Sequence, residues 1–296
     1  MTVESARERA LQGLVESGLA EDVGDGDRTT LWTVPAGTRS RAHVVAKESL
    51  MVAGLEAAVK VFRKVDPGLE VTLRAEEGER VERNRVVLEI HGSTRSLLTG
   101  ERTALNFLGR LSGIATLTRS FVAAAEGTRA RITDTRKTTP GWRELEKAAV
   151  RAGGGVNHRM GLYDMILVKE NHIAAAGGVE AAVEAVARAN LEGLPVEVEV
   201  RSLEELECLR GWPVDRVLLD NLSTSELQEA VGRVEKWPAP RPELEASGNM
   251  TLDRIPEVAA TGVHWISVGA LTHSAPVADF SLLVEGVAGQ GPDGAT

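Results

Sequence analysis

The sequence predicts an α/β protein in two parts, an N-terminal α+β unit over residues 1–112 and a parallel α/β barrel over 113–270. Three observations predict this. A chain of 296 residues has ample length for a real core in both parts. Up to about residue 112 helices, strands and turns follow in mixed order, whereas from 131 short apolar strands alternate regularly with helices, the mark of a parallel sheet. The first and last of these strands are both buried in character, which fits a closed ring better than an open sheet.

In the first part, a helix over about 4–18 leads into the Gly/Asp turn "GDGDRTT". "RSRAHVVAKES" (39–49) reads as a strand, and "GLEAAVKVFRKV" (54–65) as a helix opened by Gly54. "LEVTLRAEEGERVERNRVVLEIHG" (69–92) alternates as antiparallel strands joined by a turn at Glu77-Gly78. A long helical segment, 93–127, leads into the second part. There the strands fall at 130–133, 164–168, 196–200, 216–220, 243–247 and 264–269, with helices at about 141–152, 178–190, 202–210, 223–234 and 252–261. The segment of about 271–288 is free to pack with the first part, and 289–296 reads as a disordered tail.

Net charge is −9 and the isoelectric point about 5.3, which excludes a general nucleic-acid or polyanion surface. An anion site in such a chain must be a local concentration of cations. The lone Cys208 rules out an internal disulfide framework, suits a reducing compartment and reads as a packing residue within a helix. With no signal-peptide core and no long apolar stretch, the expected location is cytoplasmic, away from membranes. The six histidines lack zinc-like spacing, and no G-x-x-x-x-G-K-S/T, G-x-G-x-x-G or G-x-S-x-G occurs at a strand end.

Parallel barrels bind ligands at the C-terminal ends of their strands. Those ends bring Thr135, Arg136 and Lys137, then Lys169, Glu199, Asp220, Ser247-Gly248-Asn249 and Ser267-Val268-Gly269 to one rim, and the "GGGVNHRMG" loop adds His158 and Arg159. In "VEVEV" (196–200) the valines share one face and Glu197 and Glu199 the other. Glutamates turned into a barrel need Lys, Arg or a metal ion, because a lone buried carboxylate is very costly. Lys137 and Lys169 are the candidate partners. Small residues at "ASGN" and "SVGALTH" let main-chain N–H groups approach a phosphate.

The segments "ERTALNFLGRLSGIATLT", "TDTRKTTPGWRELEKAAVRAGGGVNHRMGLYDMILVKENHI", "VEVEV", "LLDN", "EASGN" and "SVGALTH" together resemble the quinolinate phosphoribosyltransferase family. The likeness runs in order over nearly the whole chain. It implies the type II phosphoribosyltransferase fold, an N-terminal α/β sandwich domain (1–112) followed by an incomplete parallel α/β barrel (113–270). It also implies transfer of phosphoribose from phosphoribosyl diphosphate to quinolinate, with loss of CO₂. By the same resemblance Arg136, His158, Arg159 and Lys169 hold the two carboxylates of quinolinate, joined by Arg102 from the partner subunit of a homodimer with shared sites, a hexamer remaining open. Lys137, Glu199 and Asp220 face the diphosphate substrate, the two acids near Mg²⁺. Ser247, Gly248, Asn249 and Ser267 to Gly269 cradle the 5-phosphate. The alternatives are an enzyme of the same fold acting on nicotinate or another aromatic acid, and an aldolase-type barrel with Lys169 as Schiff-base nucleophile.

Overall fold

The computed structural model describes residues 3–285, and from residue 8 onward their side chains as well. In chain order the elements are helices α1 (Val3–Val23) and α2 (Arg28–Thr33), strands β1 (Arg39–Ala46) and β2 (Leu50–Met51), α3 (Leu55–Val65), β3 (Glu70–Leu73), β4 (Arg80–Val81), β5 (Val86–Ser93) and α4 (Thr94–Ala124). They continue with β6 (Arg131–Thr133), α5 (Arg143–Ala152), β7 (Ile166–Val168), α6 (Glu170–Ala176), α7 (Val179–Ala189), β8 (Val196–Val200), α8 (Leu203–Cys208), β9 (Arg216–Asp220) and α9 (Thr224–Val234). Then come β10 (Glu243–Ser247), α10 (Ile255–Ala260), β11 (Trp265–Ser267), α11 (Ala270–His273) and β12 (Phe280–Val284). The expected tail at 289–296 lies outside the described residues.

The chain forms two compact units: residues up to Thr116 with Pro140–Gly153 and the chain from Ala275, and Leu117–Thr139 with Gly154–Ser274. The helix expected at 141–152 among the barrel elements therefore belongs to the first unit, as α5. That unit is built on an antiparallel sheet in the order β12-β1-β5-β3. β12 runs beside β1, with Ala42 opposite Val284, so the C-terminal segment supplies an edge strand. In the 69–92 segment β3 pairs with β5, but β4 between them pairs with β2 instead. The apolar stripe Leu55, Ala58, Val61 and Phe62 seals α3 against its surroundings. Each such side chain fully withdrawn from water contributes about 1.5–3 kcal/mol. On α4, Gly113 permits the closest approach in this unit: a Cβ there would sit 1.9 Å from the Pro276 carbonyl oxygen.

The second unit holds a six-stranded parallel sheet in the order β6-β11-β10-β9-β8-β7. This is the strand sequence of a ring, but β6 and β7 do not pair. The closed ring expected from the alternation is thus open at one seam, beside which Val156 bridges to Thr133 of β6. The strands are short and covered on both faces, with Val198, Val200, Val217, Leu219, Ala246 and Ile266 fully buried. α9 starts at a capping box, in which the Ser223 hydroxyl accepts the Glu226 N–H and Glu226 reaches back. The helix expected over 252–261 begins as a 3₁₀ turn at Leu252–Arg254 and becomes α10 where Pro256 fits the first turn. Cys208, expected to pack, is exposed at the end of α8. Among the described residues no helix is long and apolar enough to cross a membrane.

Candidate active site

The strand register brings the C-terminal ends of β6 to β11 around a cavity of about 850 Å³, all within the second unit. At the end of β6 the chain bends because Asp134, fully buried, accepts the His158 N–H at 2.8 Å and the Asn157 amide at 2.7 Å. The Thr135 hydroxyl then accepts the Lys137 N–H, and the Lys137 carbonyl accepts the Thr272 hydroxyl. This turn sets Arg136 and Lys137 side by side on the cavity wall. Arg159 faces the same space, its guanidinium donating to the Met165 carbonyl at 3.1 Å. Burial, and then the nearby Arg136, pull the Arg159 pKa below its ordinary value. Two guanidiniums held this close make a strong attractor for an anionic ligand.

Just past the end of β7, Lys169 Nζ lies 2.9 Å from Oε2 of Glu199 on β8. Deeper in the barrel, β8 and β10 carry Glu197 and Glu245, both fully buried. Burial, offset in part by Arg216, pushes the Glu197 carboxyl up to about 7. Burial and then the Glu197 charge push Glu245 up to about 7 as well, while Arg216 Nη1 lies 2.8 Å from its Oε2. His158 Nε2 stands 2.9 Å from Glu197 and 3.7 Å from Glu245. These three residues hold ligand-type atoms within 4.8 Å of one another, a spacing that could suit a metal. However, His158 Nδ1 accepts the Arg159 N–H at 2.8 Å, so the ring proton sits on Nε2 and leaves that nitrogen no lone pair for an ion.

The far side of the cavity is made of backbone. Gly248 at φ +95° and Asn249 at φ +48° turn the chain at the end of β10, facing Asn221 at φ +58° at the end of β9. Only glycine fits at 248, since a Cβ would meet Asn221 Oδ1 at 2.2 Å. Arg254 ties the two turns together, donating to the carbonyls of Gly248 at 3.2 Å and Leu222 at 2.9 Å. One wall thus presents cations, the other carboxylates and small residues, a division suited to anionic ligands with phosphate groups.

Residues 27–112 match the family model described as the quinolinate phosphoribosyl transferase N-terminal domain, and 114–283 the one for its C-terminal domain. The nicotinate-nucleotide pyrophosphorylase (carboxylating) of Mycobacterium leprae is 45% identical over 276 residues, 92% of this chain and 96% of that protein. The chain belongs to the quinolinate phosphoribosyltransferase family. It is an enzyme of this pentosyltransferase group. A Nicotiana tabacum relative, quinolinate phosphoribosyltransferase (decarboxylating) 1b, is 40% identical, covering 93% of this chain and 82% of its own. The solved nicotinate-nucleotide pyrophosphorylase of Francisella tularensis superimposes with a TM-score of 0.87 at 37% identity, over 94% of this chain and 96% of that one.

Against this family background, every expected site residue except Arg102 and Val268 lines the cavity. Arg102 is exposed on α4 in the first unit. The Val268 side chain is buried and its N–H donates to the Thr133 carbonyl, so neither is left for a phosphate. His158 lines the wall as well, with Nδ1 accepting the Arg159 N–H and Nε2 2.9 Å from Glu197 Oε2. Of the two inward glutamates, Glu199 meets Lys169 as the alternation suggested, whereas Glu197 meets His158. Glu199 and Asp220 end neighbouring strands on the wall, with no third ligating group grouped with them among the described residues. That set suits Mg²⁺, which binds through one or two carboxylates and takes its other oxygens from water and phosphate. Sequence reasoning missed Asp134, Glu245 and Arg254. Glu245 was within reach, because "ELEAS" alternates just as "VEVEV" does.

Proposed function

We propose that this enzyme transfers the phosphoribosyl group of phosphoribosyl diphosphate to quinolinate, yielding nicotinate mononucleotide, diphosphate and CO₂. The observation that carries the reading is the gathering of four permanent cations, Arg136, Lys137, Arg159 and Lys169, around one cavity of an acidic protein. A dianionic acid and a diphosphate ester repel each other, and cations on the shared wall offset that repulsion. Arg136, Arg159 and Lys169 hold the two carboxylates of quinolinate. Lys137, Glu199 and Asp220 face the diphosphate substrate, and Ser247, Gly248, Asn249, Ser267 and Gly269 cradle its 5-phosphate. Mg²⁺, held by Glu199 and Asp220 with the substrate's oxygens, supplies charge neutralisation for the diphosphate.

The chemistry then balances. The C1–O bond of ribose breaks and its electron pair leaves with diphosphate, while the lone pair of the pyridine nitrogen forms the new bond to C1. Glu199 and Asp220 stabilise the positive charge that C1 carries between the two events. The ribosylated nitrogen is cationic and accepts the electron pair left when the adjacent carboxylate departs as CO₂; that ring carbon then takes up a proton. Arg102 completes the acceptor site of a neighbouring subunit, which makes the working form a homodimer at least. A cytoplasmic location accords with the single exposed thiol, Cys208. Incubation with quinolinate, phosphoribosyl diphosphate and Mg²⁺ should release diphosphate and CO₂ in equal amounts. Diphosphate without CO₂ would instead indicate transfer to an acid that keeps all its carboxylates.

A further inference from the structure

The backbone side of the cavity depends on the orientation of one peptide. Gly248 and Asn249 both hold positive φ, +95° and +48°, and the second is a conformation that a residue with a side chain rarely adopts. Such backbone persists only where its surroundings hold it. What holds it here is Arg254, which lies outside the cavity lining and reaches two neighbouring turns from behind. Its Nη1 donates to the Gly248 carbonyl at 3.2 Å and its Nη2 to the Leu222 carbonyl at 2.9 Å, while Nε lies 3.7 Å from Glu257. Glu257 accepts the Thr224 hydroxyl at 2.9 Å, so the pair fastens the turn after β9 to the start of α10. In a trans peptide the carbonyl and the following N–H point in opposite directions. With the Gly248 carbonyl drawn to Arg254, the Asn249 N–H faces away from Arg254, on the side where Asn249 lines the cavity. That N–H has no acceptor among the described residues.

We propose that Arg254 is a positioning residue for the phosphate turn: by holding the Gly248 carbonyl, it keeps the Asn249 N–H aimed into the cavity, at the 5-phosphate of phosphoribosyl diphosphate. The identity of that phosphate rests on the functional reading above, whereas the direction of the peptide rests on the hydrogen bonds alone. Were the tie absent, rotation of the peptide between Gly248 and Asn249 would return Asn249 to negative φ. The same rotation would turn the Gly248 carbonyl oxygen toward the phosphate, a dipole of the wrong sign. Glycine at 248 carries no Cβ to oppose that rotation. Arg136, Arg159 and Lys169, on the opposite wall, share no hydrogen bond with Arg254, Leu222 or Gly248.

Two substitutions and one spectroscopic measurement test the proposal. Arg254→Met keeps most of the side-chain stem and removes the donors, and Arg254→Lys keeps the charge without the fork that spans two carbonyls. Losing hydrogen bonds from a charged donor typically weakens an interaction by about 10–100-fold. Arg254→Met should therefore weaken ribose 5-phosphate binding to the free enzyme, measured by calorimetry, and raise the KM for phosphoribosyl diphosphate, both by that range. Arg254→Lys should fall between Arg254→Met and the parent, and the KM for quinolinate should hold steady in both. The dipeptide Gly-Asn occurs once in the sequence, so ¹³C-carbonyl glycine combined with ¹⁵N-asparagine isolates the Asn249 amide. In the unsubstituted enzyme, independently of either variant's folding, that amide proton should move downfield on adding ribose 5-phosphate and stay in place with quinolinate. An amide indifferent to ribose 5-phosphate would overturn the proposal, as would parent-like binding in Arg254→Met or equal KM rises for both substrates. Parent-like binding in Arg254→Lys would make charge alone responsible and overturn it too. Failure of the parent enzyme to use phosphoribosyl diphosphate would sink the functional reading and leave the response of the same amide to inorganic phosphate to decide the positioning.

Discussion

The two walls of the cavity are built from different materials. Where β6 and β7 end, the surface is side chain: Arg136, Lys137 and Arg159 project from turns pinned by Asp134 and Thr135, and Lys169 from the start of α6. Where β9, β10 and β11 end, the surface is largely backbone: Gly248 and Asn249 adopt left-handed conformations, and Arg254 braces their turn from behind. Deleting a charge should disable the first wall, and adding a methyl group should disable the second. The contrast shows how one rim can treat two anions differently, a planar acid by directed ion pairs and a phosphate by main-chain shape.

The largest expected effect tests whether the cation wall is matched to two carboxylates. Nicotinate leaves part of that wall unpaired, and sites of this kind reject the deficient analogue by roughly 10⁴-fold. Comparable kcat/KM for nicotinate and quinolinate would break the comparison on its cationic side. Next comes Arg159→Ala. Removing one partner of a desolvated charge pair costs about 3–5 kcal/mol, which is roughly two to four decades in kcat/KM. The fold should survive, as checked by thermal unfolding, and a loss below tenfold would take Arg159 out of the site.

Gly248→Ala probes the backbone wall. A left-handed non-glycine residue costs about 1–2 kcal/mol, equivalent to roughly 5–30-fold, before the contact with Asn221 is counted. The KM for phosphoribosyl diphosphate should rise by at least that range while the KM for quinolinate stays put, and equal rises in both would erase the distinction between the walls. The smallest effect sharpens where the cation wall ends. Arg102→Ala and Lys137→Ala homodimers should each be nearly inactive. Refolded together, half of the closed dimers are mixed, so about a quarter of all sites escape both lesions. Activity should climb to roughly a quarter of the parent's. If it stays near zero although mixed dimers are shown to form, Arg102 serves its own subunit.

Much of this site was legible along the chain because a parallel strand delivers its last residues to one rim, whatever the distant contacts. Arg136, Lys169, Glu199 and Asp220 could be gathered that way, and the alternation in "VEVEV" turned two glutamates inward. The alternation in "ELEAS" turns Glu245 inward in the same way. Arg254 had no signal at all, since an arginine that donates to carbonyls of two turns looks, in sequence, like any other helix charge.

By itself the sequence determined the order of the elements, the α/β class, the acidic balance that forces an anion site to be local, and the residues that reach the rim. Those follow from periodicity and composition, which are properties of neighbours in the chain. Tertiary structure alone decided that α5 joins the first unit and that the ring opens between β6 and β7. It also decided that the Val268 N–H is spent on Thr133, and that the His158 N–H is held by Asp134. Such outcomes turn on hydrogen-bond partners far apart in sequence, Thr133 with Val268 and Asp134 with His158, and a bond of that kind exists only once folding has brought its donor and acceptor within reach.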